Sequence, residues 1–268
     1  MTRIVMAGAC GRMGQAILKL ASQDKAFKIA GGVEQKGHPD LGRDIGDVLG
    51  LGGKTGAPLT CDMMQASKNG DVIIDFTHPL SLDKHLEAAF KNKTGLVVGT
   101  TGLNDAHRNK LKKAAQKIAI VQSPNMSVGV NLLFQLTELA AKILDESYDM
   151  EISEIHHKLK KDAPSGTAVK LLEILAQAKK RNLSRDAVYG REGEVGARKQ
   201  NEIGCFALRG GDVVGEHHVF FFGAGERVEL VHQATSRDAF AKGALVAARF
   251  LAKKNRGLFT MQDVLGMA

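Results

Sequence analysis

Apolar and polar positions change period more than once along this chain. Ile4-Val5-Met6-Ala7 is a short apolar run, a glycine-rich turn follows, and residues 13–22 then show helical spacing. Residues 27–33 read as a second strand. Residues 72–76, 96–98 and 118–121 are continuous apolar runs, as expected of parallel strands covered on both faces. Between them lie a helix opened by Pro79 and running to about Asn92, and another capped by Asn104 or Asp105 and running through Lys117. Alternation of this kind predicts βαβ units and a Rossmann-type doubly wound parallel sheet, so the fold class is α/β.

The pattern changes after Pro124. Residues 130–146 read as one amphipathic helix whose apolar face carries Leu132, Leu133, Leu136, Leu139, Ala140 and Ile143. A strand over 150–156 and a helix over 165–180 come next. Three strand-like runs follow, 202–209, 213–222 and 226–233, separated by Gly210-Gly211-Asp212 and Gly223-Ala224-Gly225. This order predicts an α+β domain on a mixed sheet. Residues 236–254 return to helix, with an alanine face (Ala239, Ala241, Ala244, Ala247, Ala248) suited to close packing.

Composition narrows the class. The 268 residues are 44% apolar with 30 Gly and 5 Pro, which is globular, and long enough to bury a core without staples. Without Trp, and with 5% aromatic residues, the chain offers little surface for stacking bases. The net charge is +8 and the pI near 9.4, which raises the question of nucleic acid. The distribution answers it. Residues 1–126 carry 17 basic and 11 acidic side chains, 127–236 carry 14 and 16, and 237–268 carry 6 and 2. No dense basic arm exists; Lys179-Lys180-Arg181 reads as a helix C-terminal cap and solvated face. The excess is better suited to small anions. Cys10, Cys61 and Cys205 are odd in number and far apart, with no metal-ligand spacing, as in a reducing compartment. The N-terminus reads as a strand rather than a signal peptide, and no run approaches the length of a membrane span. A soluble, cytoplasmic protein without nucleic-acid or membrane partners is expected.

Two segments carry chemistry. Gly8-Ala9-Cys10-Gly11-Arg12-Met13-Gly14 joins a strand to a helix, as a variant of the dinucleotide fingerprint. The helix start offers N–H groups to a pyrophosphate. Glu34 lies 20 residues after Gly14, placed to accept from ribose hydroxyls. Glu34 disfavours a 2′-phosphate, Gln35 supplies no arginine for one, and Arg12 or Lys36 could neutralise one, so NADH and NADPH both stay open. Asp75-Phe76-Thr77 and Gly99-Thr100-Thr101-Gly102 fall at strand ends, where such sheets bind ligands. The second segment runs from Glu151 to Ala168. A strand delivers His156, His157 and the lysines at 158, 160 and 161 to a turn, and Ser165-Gly166-Thr167 then opens a helix. Hydroxyls and N–H groups at a helix start, with lysines beside them, form a carboxylate site, and a histidine there can donate a proton. Each piece alone has a plain structural reading, as a solvated loop or an N-cap. Adjacent histidines without a third ligand argue against a metal.

The run Glu151–Ala168 resembles, without a gap, the motif E-[IV]-x-E-x-H-x-x-x-K-x-D-x-P-S-G-T-A of the 4-hydroxy-tetrahydrodipicolinate reductase (dihydrodipicolinate reductase) family. Gly11–Gly14, Asp75–Thr77, Gly99–Gly102 and Asn125–Gly129 match its shorter motifs, so the resemblance covers the whole chain. It implies reduction of 4-hydroxy-tetrahydrodipicolinate to tetrahydrodipicolinate with loss of water, in the diaminopimelate route to lysine, by hydride from NADH or NADPH to the ring C4. It implies His156 as proton donor to the neighbouring carbon, and Lys160 as the second catalytic group. His157, Ser165, Gly166 and Thr167 would hold the substrate carboxylates. Gly8, Ala9, Cys10, Gly11, Arg12, Met13, Glu34, Gly99, Thr100, Thr101, Ser123, Pro124, Asn125 and Met126 would hold the cofactor. It further implies a dinucleotide domain of residues 1–126 plus 237–268, an inserted substrate and tetramerisation domain of 127–236, and a homotetramer. The apolar run Val219-Phe220-Phe221-Phe222 fits either such an interface or a buried core. Cys10, Gln35 and Leu159 depart from the family's usual residues. A non-catalytic sensor on the same fold would have lost the second segment, and a semialdehyde dehydrogenase would need a cysteine motif that Cys205 lacks.

Overall fold

The structure is a computed structural model describing residues 1–267. The chain opens with β1 (Thr2–Ala7), α1 (Arg12–Gln23), β2 (Phe27–Val33), α2 (Ile45–Leu49), β3 (Leu59–Thr60), α3 (Met63–Ala66), β4 (Val72–Asp75), α4 (Leu82–Asn92), β5 (Gly95–Val98), α5 (Asp105–Ala114) and β6 (Ala119–Gln122). It continues through α6 (Val128–Ile143), β7 (Asp149–His156), α7 (Gly166–Ala178), α8 (Leu183–Asp186), β8 (Ala187–Val188), β9 (Ile203–Arg209), β10 (Gly215–Gly223) and β11 (Glu226–Ala234). It closes with α9 (Asp238–Leu251), β12 (Gly257–Phe259) and α10 (Met261–Val264). Two compact units result: Met1–Val128 with the segment from Asp238 onward, and Gly129–Arg237.

The first unit holds a seven-stranded sheet, ordered β12-β6-β5-β4-β1-β2-β3, with every pairing parallel. Alternate residues serve opposite faces. Ile4, Met6, Ile74 and Val121 pack with Ile17 and Leu18 of α1 and with the alanines of α9. Val5, Ile73, Leu96 and Ile120 pack with Leu82, Leu86 and Leu111 on the other face. The sheet is therefore covered on both sides, which is the Rossmann-type arrangement. Asn104 begins α5 with a reciprocal capping box to His107.

In a parallel sheet the crossover helices end at the amino edge of the strands. Lys91 lies in the last turn of α4 and Lys93 is its C-cap, while Lys117 follows α5 and Lys254 follows α9. With Arg3 and Lys68 they line a cavity of about 910 Å³ at that edge. There they offset the negative ends of three helix dipoles. Much of the basic excess of this unit thus lies away from the glycine turn, and helix termination accounts for it better than the expected attraction of small anions.

The second unit holds a five-stranded mixed sheet, ordered β11-β10-β7-β9-β8. β10 is antiparallel to β11 and β7, whereas β7, β9 and β8 run parallel. Met150, Ile152, Ile203, Cys205, Val219 and Phe221 point inward against Leu171, Leu172 and Leu175 of α7 and Val130, Leu133 and Phe134 of α6.

Two expectations are corrected here. The core side of α6 is Val130, Asn131, Leu133, Phe134, Thr137 and Ala141, whereas Leu132, Leu136, Leu139 and Ile143 are exposed. This helix is apolar around most of its circumference, so spacing alone could not choose the buried side. Lys179 and Arg181 are not a solvated face either. Their side chains are 8% and 4% exposed, both pair with Glu146, and Lys179 caps the Leu144 carbonyl.

Candidate active site

The candidate cofactor site belongs to the first unit. Gly8 has φ +69°, a left-handed value that a side chain rarely adopts, and this turns the chain off β1. A Cβ on Gly14 would sit 2.1 Å from the Gly8 carbonyl oxygen, so glycine lets α1 close onto the turn. α1 begins at Arg12 without a side-chain cap, leaving its first N–H groups for a ligand. Glu34, directly after β2, accepts from the Cys10 N–H at 2.8 Å and so closes on the turn. Arg12 is exposed, whereas Ala9 is fully buried and its N–H donates to the Val33 carbonyl. Gly8, Glu34, Gln35, Lys36, Thr77 and Lys84 line a groove of about 700 Å³.

A buried carboxylate organises the neighbouring turns. Asp75, at the end of β4, is fully buried. Its Oδ1 accepts from the Thr77 N–H at 2.9 Å, the Thr77 hydroxyl at 2.7 Å and the Thr100 hydroxyl at 3.0 Å. Its Oδ2 lies 2.7 Å from His85 Nδ1. Burial opposes the charge, but His85 and Thr77 outweigh it and hold the carboxyl below its usual range. One side chain therefore joins the 75–77 and 99–102 turns. A Cβ on Gly99 would meet the Phe76 ring at 2.4 Å, which requires glycine there, and Thr101 is exposed. The Ser123 hydroxyl donates to the Asn125 carbonyl at 2.7 Å, fixing the turn through exposed Pro124. Met126 is buried in the core, and its carbonyl oxygen packs against Gly243 of α9.

The second unit carries a candidate catalytic cluster of its own, on the inner face of the mixed sheet. His156 ends β7 and is 8% exposed. Glu154, two residues earlier on the same face, is fully buried, and its Oε2 lies 2.5 Å from His156 Nδ1. Arg209 of β9 grips both oxygens of Glu154 at 2.8 Å. The Ser165 N–H donates to Oε1 at 2.9 Å. Burial pushes the Glu154 carboxyl up, but the bonds from His156, Arg209 and Ser165 prevail and hold it at about 2. An ionised carboxylate only accepts, so Nδ1 carries the hydrogen and Nε2 is the free nitrogen of His156. Gly215 of β10 leaves room for that ring, since a Cβ there would stand 3.0 Å from Nε2.

Ser165 is the N-cap of α7 and accepts from the Ala168 N–H at 3.2 Å. Its hydroxyl also lies 3.0 Å from Nε2 of His217, whose ring meets that of His156 edge-on at 5.2 Å. Burial, then the neighbouring His156, push His217 down to about 3, so it stays neutral. Exposed Gly166 and buried Thr167 form the first turn of α7. Lys160 Nζ lies 2.9 Å from both oxygens of Asp162, and His157 is half-buried with an unpartnered Nδ1. Glu154, Arg209, Gly215 and His217 were not singled out from sequence. Strand parity would have placed Glu154 beside His156; nothing in the sequence marks the other three.

The low pKa of Glu154 has a measurable consequence. Held at about 2 in the folded protein against 4.5, its charge stabilises the second unit by about 3 kcal/mol. A depressed carboxyl contributes fully above its ordinary pKa and loses the contribution as pH falls toward 2. The Tm gap between the wild type and Glu154→Gln therefore narrows through that acid range in calorimetry.

Comparison with known proteins follows this geometry. The family model described as "Dihydrodipicolinate reductase, N-terminus" matches residues 2–126, and its C-terminal counterpart matches 129–265. A 4-hydroxy-tetrahydrodipicolinate reductase of Nitrosomonas europaea is 47% identical over 264 residues, covering 98% of each chain. One from Aquifex aeolicus is 50% identical over 270 residues, covering 99% of each. The dipicolinate-bound dihydrodipicolinate reductase of Paenisporosarcina sp. TG-14 shares the fold, with a TM-score of 0.78, 24% identity and 98% coverage of both chains.

Proposed function

The chain belongs to the dihydrodipicolinate reductase family, and we infer from that premise that it reduces 4-hydroxy-tetrahydrodipicolinate to tetrahydrodipicolinate with loss of water, using NADH or NADPH. It is an oxidoreductase of the diaminopimelate route to lysine. The observation that carries the reading onto this chain's residues is the ionised Glu154 against His156, bonded to the Ser165 N–H at the start of α7. When bound, the nicotinamide supplies a hydride for the ring C4. The 4-hydroxyl first departs as water with a proton from the neighbouring ring carbon, leaving a double bond between the two carbons. Once hydride reaches C4, His156 delivers a proton from Nε2 to that neighbouring carbon. Lys160 holds and polarises the substrate; one of its carboxylates takes the place of Asp162 on the ammonium. His157, Ser165 and the N–H groups of Gly166 and Thr167 receive the dicarboxylate.

Residues 8–13, Glu34, Gly99–Thr101 and 123–126 bind the cofactor. The uncapped start of α1 and the space kept by Gly14 fit a pyrophosphate. Glu34 accepts from ribose hydroxyls and Arg12 faces solvent nearby, so both cofactors are used, with NADH favoured. The unit formed by the two ends of the chain is the dinucleotide domain; residues 129–237 form the substrate and tetramerisation domain. The test couples an aldol synthase to the protein and follows NADH and NADPH oxidation separately. Oxidation of neither cofactor would refute the function.

The enzyme works in the cytoplasm as a homotetramer. Three unpaired cysteines suit a reducing compartment, and among the described residues no helix is long and apolar enough to cross a membrane. Two apolar surfaces of the second unit support assembly. On the outer face of the sheet His218, Phe220 and Phe222 stack at 5.9 and 5.7 Å, and exposed Val231 pairs with His218. The other surface is the Leu132, Leu136, Leu139 and Ile143 side of α6. A tetramer with two-fold axes needs more than one kind of self-complementary interface. Phe220→Asp is expected to convert the tetramer to smaller species in sedimentation velocity while leaving the monomer folded.

A further inference from the structure

We propose that Glu154 is a positioning residue for the reaction, one buried carboxylate that fixes the proton-donating nitrogen of His156 and ties that ring to the carboxylate-binding start of α7. The inference deepens the assignment of His156 and rests on it.

The geometry divides the carboxylate between two tasks. Oε2 takes the His156 Nδ1 hydrogen, and Oε1 takes the Ser165 N–H at the first step of α7. Arg209 binds both oxygens and prevents the carboxylate from turning. Arg209 is itself held, because its Nη2 donates to the Asp162 carbonyl at 2.7 Å. The acid and the anion cradle are therefore registered against one rigid group. They come from different elements, β7 and the start of α7, which this carboxylate joins by a charge-assisted bond.

The same arrangement sets the chemistry of the ring. With Nδ1–H held by an anion, the tautomer of His156 is fixed and Nε2 is the nitrogen left for chemistry. The other titratable groups around it leave this role to Glu154. His217 of β10 stays neutral, and His232 of β11 lies behind it with its pKa also lowered by burial. Lys160 is neutralised by Asp162 on the loop after β7. Arg209 of β9 spends its charge on Glu154.

Glu154→Gln tests the proposal. A glutamine retains an acceptor for Ser165 and Arg209, so the fold should persist, but its amide cannot stabilise an imidazolium. The expected result is a fall in kcat of about 10²-fold with little change in cofactor affinity. The alkaline limb of the kcat profile should move to lower pH. Glu154→Asp, which restores the charge, should return the limb toward its wild-type position. In the absence of substrate, NMR should show a hydrogen-bonded Nδ1 proton on His156 that disappears in Glu154→Gln. A Glu154→Gln enzyme with lowered Tm but wild-type kcat and pH profile would overturn the proposal, as would absence of that proton from the wild type. If His156→Gln also kept wild-type turnover, the fault would lie in the assignment of His156 instead.

Discussion

Replacing His156 with glutamine should lower kcat by about 10³-fold while leaving cofactor affinity unchanged, within the range known for loss of a general acid. The side chain lies on the inner face of the mixed sheet and has its Nδ1 fully engaged by Glu154, so Nε2 is the nitrogen left for chemistry. Glutamine fills much of the same space over Gly215 but has no group that gives up a proton near neutral pH. Lys160→Ala should cost a similar factor and should raise KM as well. It removes the ammonium that meets a substrate carboxylate and leaves Asp162 without its lysine partner. Steady-state rates with the freshly formed aldol product, together with direct cofactor titration, separate the two effects. Wild-type turnover in both variants would remove His156 and Lys160 from the mechanism.

Gly14→Ala should weaken cofactor binding by about 10²-fold. The added carbon would sit 2.1 Å from the Gly8 carbonyl oxygen and 2.7 Å from that of Ala9. Both are backbone atoms of the turn that would cradle the pyrophosphate. Neither can swing aside as a side chain would, so the turn must move off the start of α1. Overpacking of this kind costs about 1–3 kcal/mol, and each 1.4 kcal/mol is a factor of ten in affinity. Gly53→Ala is the matched control, because its added carbon would meet nothing within 4 Å. The chain has no Trp, so binding is best read from the fluorescence of the reduced nicotinamide itself. Equal affinity in Gly14→Ala and the control would show that the turn tolerates the shift.

The parallel sheet was legible in the sequence because its strands are continuous apolar runs bounded by turns. Those strands appear within a residue or two of where the runs lie. β8 and β12 were not legible. Two or three residues carry no period, and their pairing to β9 and β6 is a tertiary event. The run Val219–Phe222 left open whether it was core or interface, and parity shows why. Val219 and Phe221 are buried, while Phe220 and Phe222 face outward, so one run supplies both. The glycine turn and the 151–168 segment could be read because their residues are contiguous. Arg209 and His217 could not, because they reach Glu154 and Ser165 only through the pairing of β7 with β9 and β10.

The division of the first unit between the two ends of the chain bears on how the protein is made. Ala241, Ala244, Leu245, Ala247, Ala248, Leu251 and Met261 belong to the same core as Ile4, Met6 and Ile17. On the ribosome, the N-terminal strands emerge first but lack this covering until the last segment is synthesised. The second unit, contiguous in sequence, can close before them. For much of its synthesis one face of the parallel sheet is therefore an unfinished apolar surface, which nascent-chain chaperones would be expected to shield.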